Sequence, residues 1–153
     1  QVVVSNARGA TLSVFRADTL ELTVGARGAR EGEFDNPHDV EVAADGSIYV
    51  VDSGNNRVQI FDADFKHRGS FGPALRLNGP KYLAFDSDRI WLADEYNHRI
   101  LLLDRNHLPR GVIGTGRRGR SAAEDFLLGS VTRHVLSDAK CDVLVVQEGA
   151  ARR

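Results

Sequence analysis

The chain holds no methionine, one cysteine and one tryptophan in 153 residues. A single cysteine, Cys141, excludes an internal disulfide and leaves the redox compartment open. No activating base stands near Cys141 in sequence, so it reads as inert core. No apolar run approaches the ~20 residues of a membrane span, and no secretory signal opens the sequence. The expectation is therefore no membrane partner and a cytoplasmic location. Without methionine, and beginning inside a strand-like run, the chain is expected to be processed or an excerpt. Surplus charge is also lacking. Lys and Arg number 20 against 21 Asp and Glu, a net charge of -1, which argues against a strongly electrostatic nucleic-acid binder.

What the chain does have is repetition. Ile48-Tyr49-Val50-Val51-Asp52-Ser53-Gly54-Asn55-Asn56-Arg57-Val58 returns 42 residues later as Ile90-Trp91-Leu92-Ala93-Asp94-Glu95-Tyr96-Asn97-His98-Arg99-Ile100. Gly69 and Gly72 fall on Gly111 and Gly114, and Pro37 falls on Pro80. A period of ~40–50 residues built of short strands marks a β-propeller, whose four-stranded blades repeat radially. The first good repeat reads as strands at 39–42, 48–51, 57–61 and 67–71, separated by Asn, Asp and Gly turns. The second reads as 82–85, 90–93, 99–103 and 111–113. A worn copy precedes them, with strands at 2–4, 11–15 and 21–24. Its first turn is read as one residue longer, with Ser5 where the later copies have Asp.

These motifs resemble the NHL-repeat family. The residues that carry the likeness are Gly32-Glu33-Phe34-Asp35-Asn36-Pro37-His38-Asp39-Val40, Tyr49 to Asp52 with Asn55-Asn56-Arg57, and Asp94 with Asn97-His98-Arg99. The resemblance covers roughly residues 1–118 and implies a propeller that usually has six blades. Asp52, Asn55 and Arg57, and likewise Asp94, Asn97 and Arg99, suit hydrogen bonds that hold a tight turn. The expected fold is mainly β, a partial propeller of two to three four-stranded blades with a C-terminal helix-strand segment. Its units are 1–30 (a degenerate blade), 31–72, 73–114, and a distinct tail at 115–153. So short an arc leaves apolar faces and strand edges open, so either missing blades, a second copy or a packed tail should cover them.

The tail changes character. Residues 127, 128, 131, 135 and 136 are apolar at helical spacing, with Ser130 at the N-cap or in the first turn. Val143-Leu144-Val145-Val146 is an unbroken apolar run suited to a buried strand. With Gly116, Gly119, Gly129 and Ser130 ahead of it, this stretch resembles the end of a universal stress protein domain, over about 112–147. That resemblance implies phosphate and ribose contacts to ATP from Gly116, Gly119, Gly129 and Ser130, and a dimer-edge strand at Val143 to Val146. The family's opening strand, which faces adenine, has no counterpart here, so tight ATP binding is not expected. A tail that is itself a degenerate blade is the other reading, and the chain looks like a composite.

Catalysis finds little support. His38, His67, His98, His107 and His134 show no metal-ligand spacing. Some propeller lyases that resemble the NHL family bind zinc by channel histidines, which makes His38 a weak metal candidate, but the second repeat has Lys81 there. Asp39 and Glu41, two residues apart on one strand, simply mark one face. Arg117, Arg118 and Arg120 with Arg110 form the one basic cluster, which suits RNA or nucleotide phosphates but equally a solvated loop. Phe126 is the only aromatic near it, too little for base stacking. The expected function is a non-catalytic binding scaffold that recognises protein or polymer ligands through blade loops, with no cofactor. The alternatives are an ATP-binding stress-response module and a metal-dependent propeller lyase or hydrolase. Self-association through the open blade edge or the 143–146 strand is a further expectation.

Overall fold

The computed structural model describes residues 1–86 and 88–114. The expected helix at 130–136, the strand at 143–146, the nucleotide-site residues Gly116, Gly119, Gly129 and Ser130, Cys141 and the arginines 117, 118 and 120 lie outside the described residues.

The described chain is three antiparallel sheets in sequence. The first contains β1 (Val2–Asn6), β2 (Thr11–Arg16) and β3 (Thr19–Val24). The second contains β4 (Pro37–Val42), β5 (Ile48–Asp52), β6 (Arg57–Phe61) and β7 (His67–Phe71). The third contains β8 (Pro80–Asp86), β9 (Arg89–Asp94), β10 (Arg99–Asp104) and β11 (Pro109–Gly114). In each sheet, chain neighbours are sheet neighbours, which is the up-and-down order of a propeller blade. The β5–β6 and β9–β10 hairpins are copies to the residue: Tyr49 faces Ile60 as Trp91 faces Leu102, and Asp52 faces Arg57 as Asp94 faces Arg99.

Local sequence explains the elements. Val, Ile, Phe and Leu alternate or run together in the strands, where a pleated, half-buried surface accepts branched side chains. Between β5 and β6, and between β9 and β10, one turn of 3-10 helix (Ser53–Asn55 and Glu95–Asn97) reverses the chain. Each ends on a left-handed residue, Asn56 at φ 53° and His98 at φ 50°. Asn tolerates that region because its side chain bonds locally.

The first sheet corrects one expectation. Asn6 faces Thr11 just as Asp52 faces Arg57, and Ala10 at φ 55° takes the left-handed place of Asn56 and His98. The turn therefore has the same length in all three copies, and Asn6, not Ser5, stands where the later copies have Asp. By register, β1, β2 and β3 correspond to β5, β6 and β7 of the second sheet.

Two apolar clusters lie between consecutive sheets. Ala10 and Leu12 of the first sheet and its turn meet Ile48, Val50 and Phe61 of the second, with Phe34 from the connecting loop. Val51 and Val58 on the opposite side of the second sheet meet Leu83, Ile90, Leu92, Leu101 and Leu103 of the third. Phe61 and Leu103, equivalent by repeat, fill equivalent places. Trp91 is buried but belongs to neither cluster, whereas its counterpart Tyr49 packs against the second. Burial of this kind, at ~25 cal/mol per Å² of apolar surface, is the main force joining blade to blade.

Candidate binding surface

One end of the blades is built around two buried carboxylates. Asp52 and Asp94 are both 0 % exposed, so each needs partners for the charge it carries. Asp52 accepts hydrogen bonds from the Asp35 backbone N–H (2.7 Å), Asn55 Nδ2 (2.8 Å), Arg57 Nε (2.8 Å) and Gln59 Nε2 (3.1 Å). Asp94 accepts from the Asn78 N–H, Asn97 Nδ2 and Arg99 Nε, each at 2.7 Å. The arginines then reach outward. Arg57 donates to the carbonyls of Arg30 and Glu33, and Arg99 to those of Leu75 and Arg76. Each Asp–Asn–Arg set thus ties a turn to the loop that enters the same blade. Charge-assisted bonds of this number satisfy both ions and fix the loop geometry.

That clasp positions an exposed polar and aromatic patch. Lys81 Nζ pairs with Glu95 Oε2 at 2.9 Å, across the start of β8 and the 3-10 turn after β9. The hydrogen bond to Glu95, more than its charge alone, raises the Lys81 pKa. Tyr82 and Tyr96 flank the pair in sequence and are 56 % and 62 % exposed. Gly79 makes room for Tyr96: at φ 58° it carries no Cβ, and a Cβ there would overlap the tyrosine ring. The Gly79 N–H donates to Asn56 Oδ1 of the preceding blade at 2.7 Å, which joins the two blades at this end. His38 sets its ring edge-on to Tyr82, with centroids 5.6 Å apart. Burial first, and the Lys81 charge second, lower the His38 pKa and so favour the neutral ring.

His38 thus stands beside Tyr82 and Lys81. Among the described residues no group of three His, Cys, Asp or Glu side chains converges as a metal centre requires. Asp39 and Glu41 are not a free carboxylate pair: Asp39 accepts from its own strand at Val40 N and across the blade boundary at Leu83 N. Burial, then the Asp39 charge, raises the Glu41 pKa. Sequence reasoning did not single out Lys81–Glu95, Tyr82 or Tyr96. The signal was available in the way Tyr82 and Tyr96 replace Asp39 and Gly54 between the copies.

A second cluster went unnoticed too. His107, left-handed at φ 61° in the turn before β11, stacks on Phe71 with centroids 4.4 Å apart and planes at 12°. Its Nε2 lies 3.3 Å from Tyr49 Oη, and Tyr49 in turn meets Phe85 edge-on. Phe65, at φ 60°, holds the same turn position one blade earlier.

Comparison with known proteins agrees with this geometry. Residues 34–61 match the NHL repeat. Residues 112–147 match the universal stress protein family. The chain is 36 % identical over 83 residues to human NHL repeat-containing protein 3, covering 48 % of this chain and 24 % of that protein. It is 46 % identical over 44 residues to rat tripartite motif-containing protein 3, covering 29 % of this chain and 6 % of the relative. Protein brain tumor of Drosophila melanogaster is 42 % identical over 48 residues, 31 % of this chain and 5 % of that protein. This chain therefore spans a quarter or less of the length of these relatives. A solved protein of Lactobacillus plantarum superposes with a TM-score of 0.55 at 20 % identity, over 78 % of this chain and 40 % of that one. The three sheets are propeller blades in fold, and the likeness to the NHL repeat lies at residues 34–61.

Proposed function

We propose that this chain is a non-catalytic binding scaffold of NHL β-propeller type, which recognises a protein or polymer ligand through the loop end of its blades. The observation that carries the reading is the pair of exposed tyrosines beside the Lys81–Glu95 ion pair, Tyr82 near the start of β8 and Tyr96 on the 3-10 turn held by the Asp94 clasp. Tyrosine offers a broad apolar ring and a polar tip, and it dominates protein interfaces out of proportion to its frequency. A rigid platform loses little conformational entropy when it binds. The near-neutral net charge favours an extended peptide over a polyanion such as RNA.

Selection of a random linear-peptide display library on the native chain tests this. Enriched peptides should bind the Tyr82→Ser/Tyr96→Ser variant at least ~10-fold more weakly, as loss of a hot-spot residue implies. The unfolding midpoint of that variant should stay close to that of the native chain. Equal binding to both proteins would contradict the reading.

The match to the universal stress protein family favours one second reading, a nucleotide-binding module through Gly116, Gly119, Gly129 and Ser130. Glycine-rich loops present backbone amides to phosphate. Titration of ATP with magnesium against the native chain and Gly129→Val decides it. Micromolar binding lost in the variant establishes that reading, and absence of binding in both removes it.

A further inference from the structure

The Lys81–Glu95 pair is uneven. The Lys81 side chain is 25 % exposed and that of Glu95 47 %, so the carboxylate is the more open half. Lys81 Nζ lies against one of its two oxygens, Oε2, at 2.9 Å. An ammonium is a point contact for a carboxylate, whereas a planar guanidinium can donate to both oxygens at once. The groups around the ammonium favour positive charge. The hydrogen bond to Glu95 raises the Lys81 pKa most, against the opposing effect of burial, and the Glu95 charge, Tyr96 and Tyr82 add to it. Beyond burial, His38 feels the charges of both Lys81 and Glu95, and its ring lies edge-on to Tyr82, which places these side chains in one cluster. Tyr82 and Tyr96 stay largely exposed, and the electron-rich faces of such rings attract cations. The equivalent positions of the second blade, His38, Asp39, Ser53 and Gly54, supply no such set.

We propose that this cluster is a cation site which Lys81 occupies in the free protein, and that the ligand is a peptide whose arginine displaces Lys81 from Glu95 and packs on Tyr82 and Tyr96. The inference rests on the reading of this end of the blades as a binding surface, and it names the chemistry of the partner. Displacement costs little, because a partly exposed lysine–carboxylate pair contributes little to stability. The freed ammonium swings into water on its flexible stem. Arginine gains what lysine does not have, a two-pronged bond to the carboxylate and a flat face that stacks on tyrosine. Charge decides against an acidic residue in that place. It would have to meet the less exposed half of the pair, beside the Glu95 carboxylate and two ring faces that repel anions.

N-acetyl-arginine amide, titrated through the millimolar range against the full chain, tests the site. Tyrosine ring resonances are the readout, and N-acetyl-citrulline amide is the uncharged control of the same shape. The arginine compound should shift the Tyr82 and Tyr96 rings saturably, and the citrulline compound should not. Lys81→Met removes the internal competitor and should tighten binding about 3-fold, within what an exposed pair is worth. Glu95→Gln should weaken it about 10-fold, as loss of a charge-assisted hydrogen bond implies. Effects of opposite sign from the two halves of one ion pair separate this account from a general loss of structure. Weaker binding to Lys81→Met overturns the proposal, as do equal shifts from arginine and citrulline, shifts from N-acetyl-glutamate amide instead, or no shift at all. Library-selected peptides that need Tyr82 and Tyr96 but bind Lys81→Met and Glu95→Gln like the native chain remove the arginine site and leave the binding surface standing.

Discussion

Asp52 and Asp94 do the same work with different support. Four donors converge on Asp52, including Gln59, whereas the second repeat has Leu101 in place of that glutamine and three donors on Asp94. Removing Asp52 leaves Arg57 and a fully buried Gln59 without their carboxylate. Asp52→Ala should cost about 3–5 kcal/mol, the range for breaking one side of a buried ion pair. Asp94→Ala should cost less, because there no fully buried amide loses a hydrogen bond, as Gln59 does while keeping its bonds to Glu33 and Gly32. Urea unfolding of the two variants orders them, and an equal or reversed order would show that Gln59 contributes nothing through Asp52. His107 supplies a second prediction at this scale. Burial between Phe71 and Tyr49 lowers its pKa from 6.5, against the opposing charge of Asp104, so the folded state prefers the neutral ring. The unfolded chain then binds more protons, so this contribution to stability is present above the unfolded pKa and is lost as pH falls through and below about 6.5. His38 shifts the same way. His107→Phe, which copies Phe65, should therefore shrink the drop in melting temperature between pH 7.5 and pH 5.5 without abolishing it. An unchanged drop would mean that His107 is equally solvated in both states.

At the scale of elements, the strands were legible because their signals are local. Alternation in 39–42 and 57–61, the apolar runs at 48–51 and 90–93, and Asn- and Gly-bearing turns all point the same way. The structure lengthens most of these strands by one or two residues and leaves their order unchanged. The misplacement of Ser5 has a physical source. The first hairpin has lost the Asp and the Arg that mark the later ones, and register there is carried by Ala10 in a left-handed conformation, which sequence does not advertise. The binding surface was harder to see, because it is made by residues at which the repeats differ. Gly79 links element to surface. Gly79→Ala forces a Cβ into the ring of Tyr96 and holds alanine at φ 58°. It should lower stability by about 1–2 kcal/mol, the cost of a non-glycine residue in that region. It should also displace Tyr96, which the ring resonances in proton spectra report. A native Tyr96 environment in a fully stable Gly79→Ala protein would show that the turn is not held as described.

For the whole molecule, apolar clusters join the first sheet to the second and the second to the third, and side chain–backbone bonds cross each boundary: Ser5 Oγ to the His38 carbonyl at 3.2 Å, and Ser53 Oγ to the Pro80 carbonyl. The loop end is thus a continuous surface over neighbouring blades, and that surface is where a ligand should sit. The most direct measurement is the amide-exchange footprint of a library-selected peptide on the native chain. Protection should concentrate at residues 37–39, 78–82 and 95–98, around His38, Lys81, Tyr82, Glu95 and Tyr96, and should disappear in Tyr82→Ser/Tyr96→Ser. A footprint on β7 and β11, with those three segments unchanged, would contradict the binding surface described here.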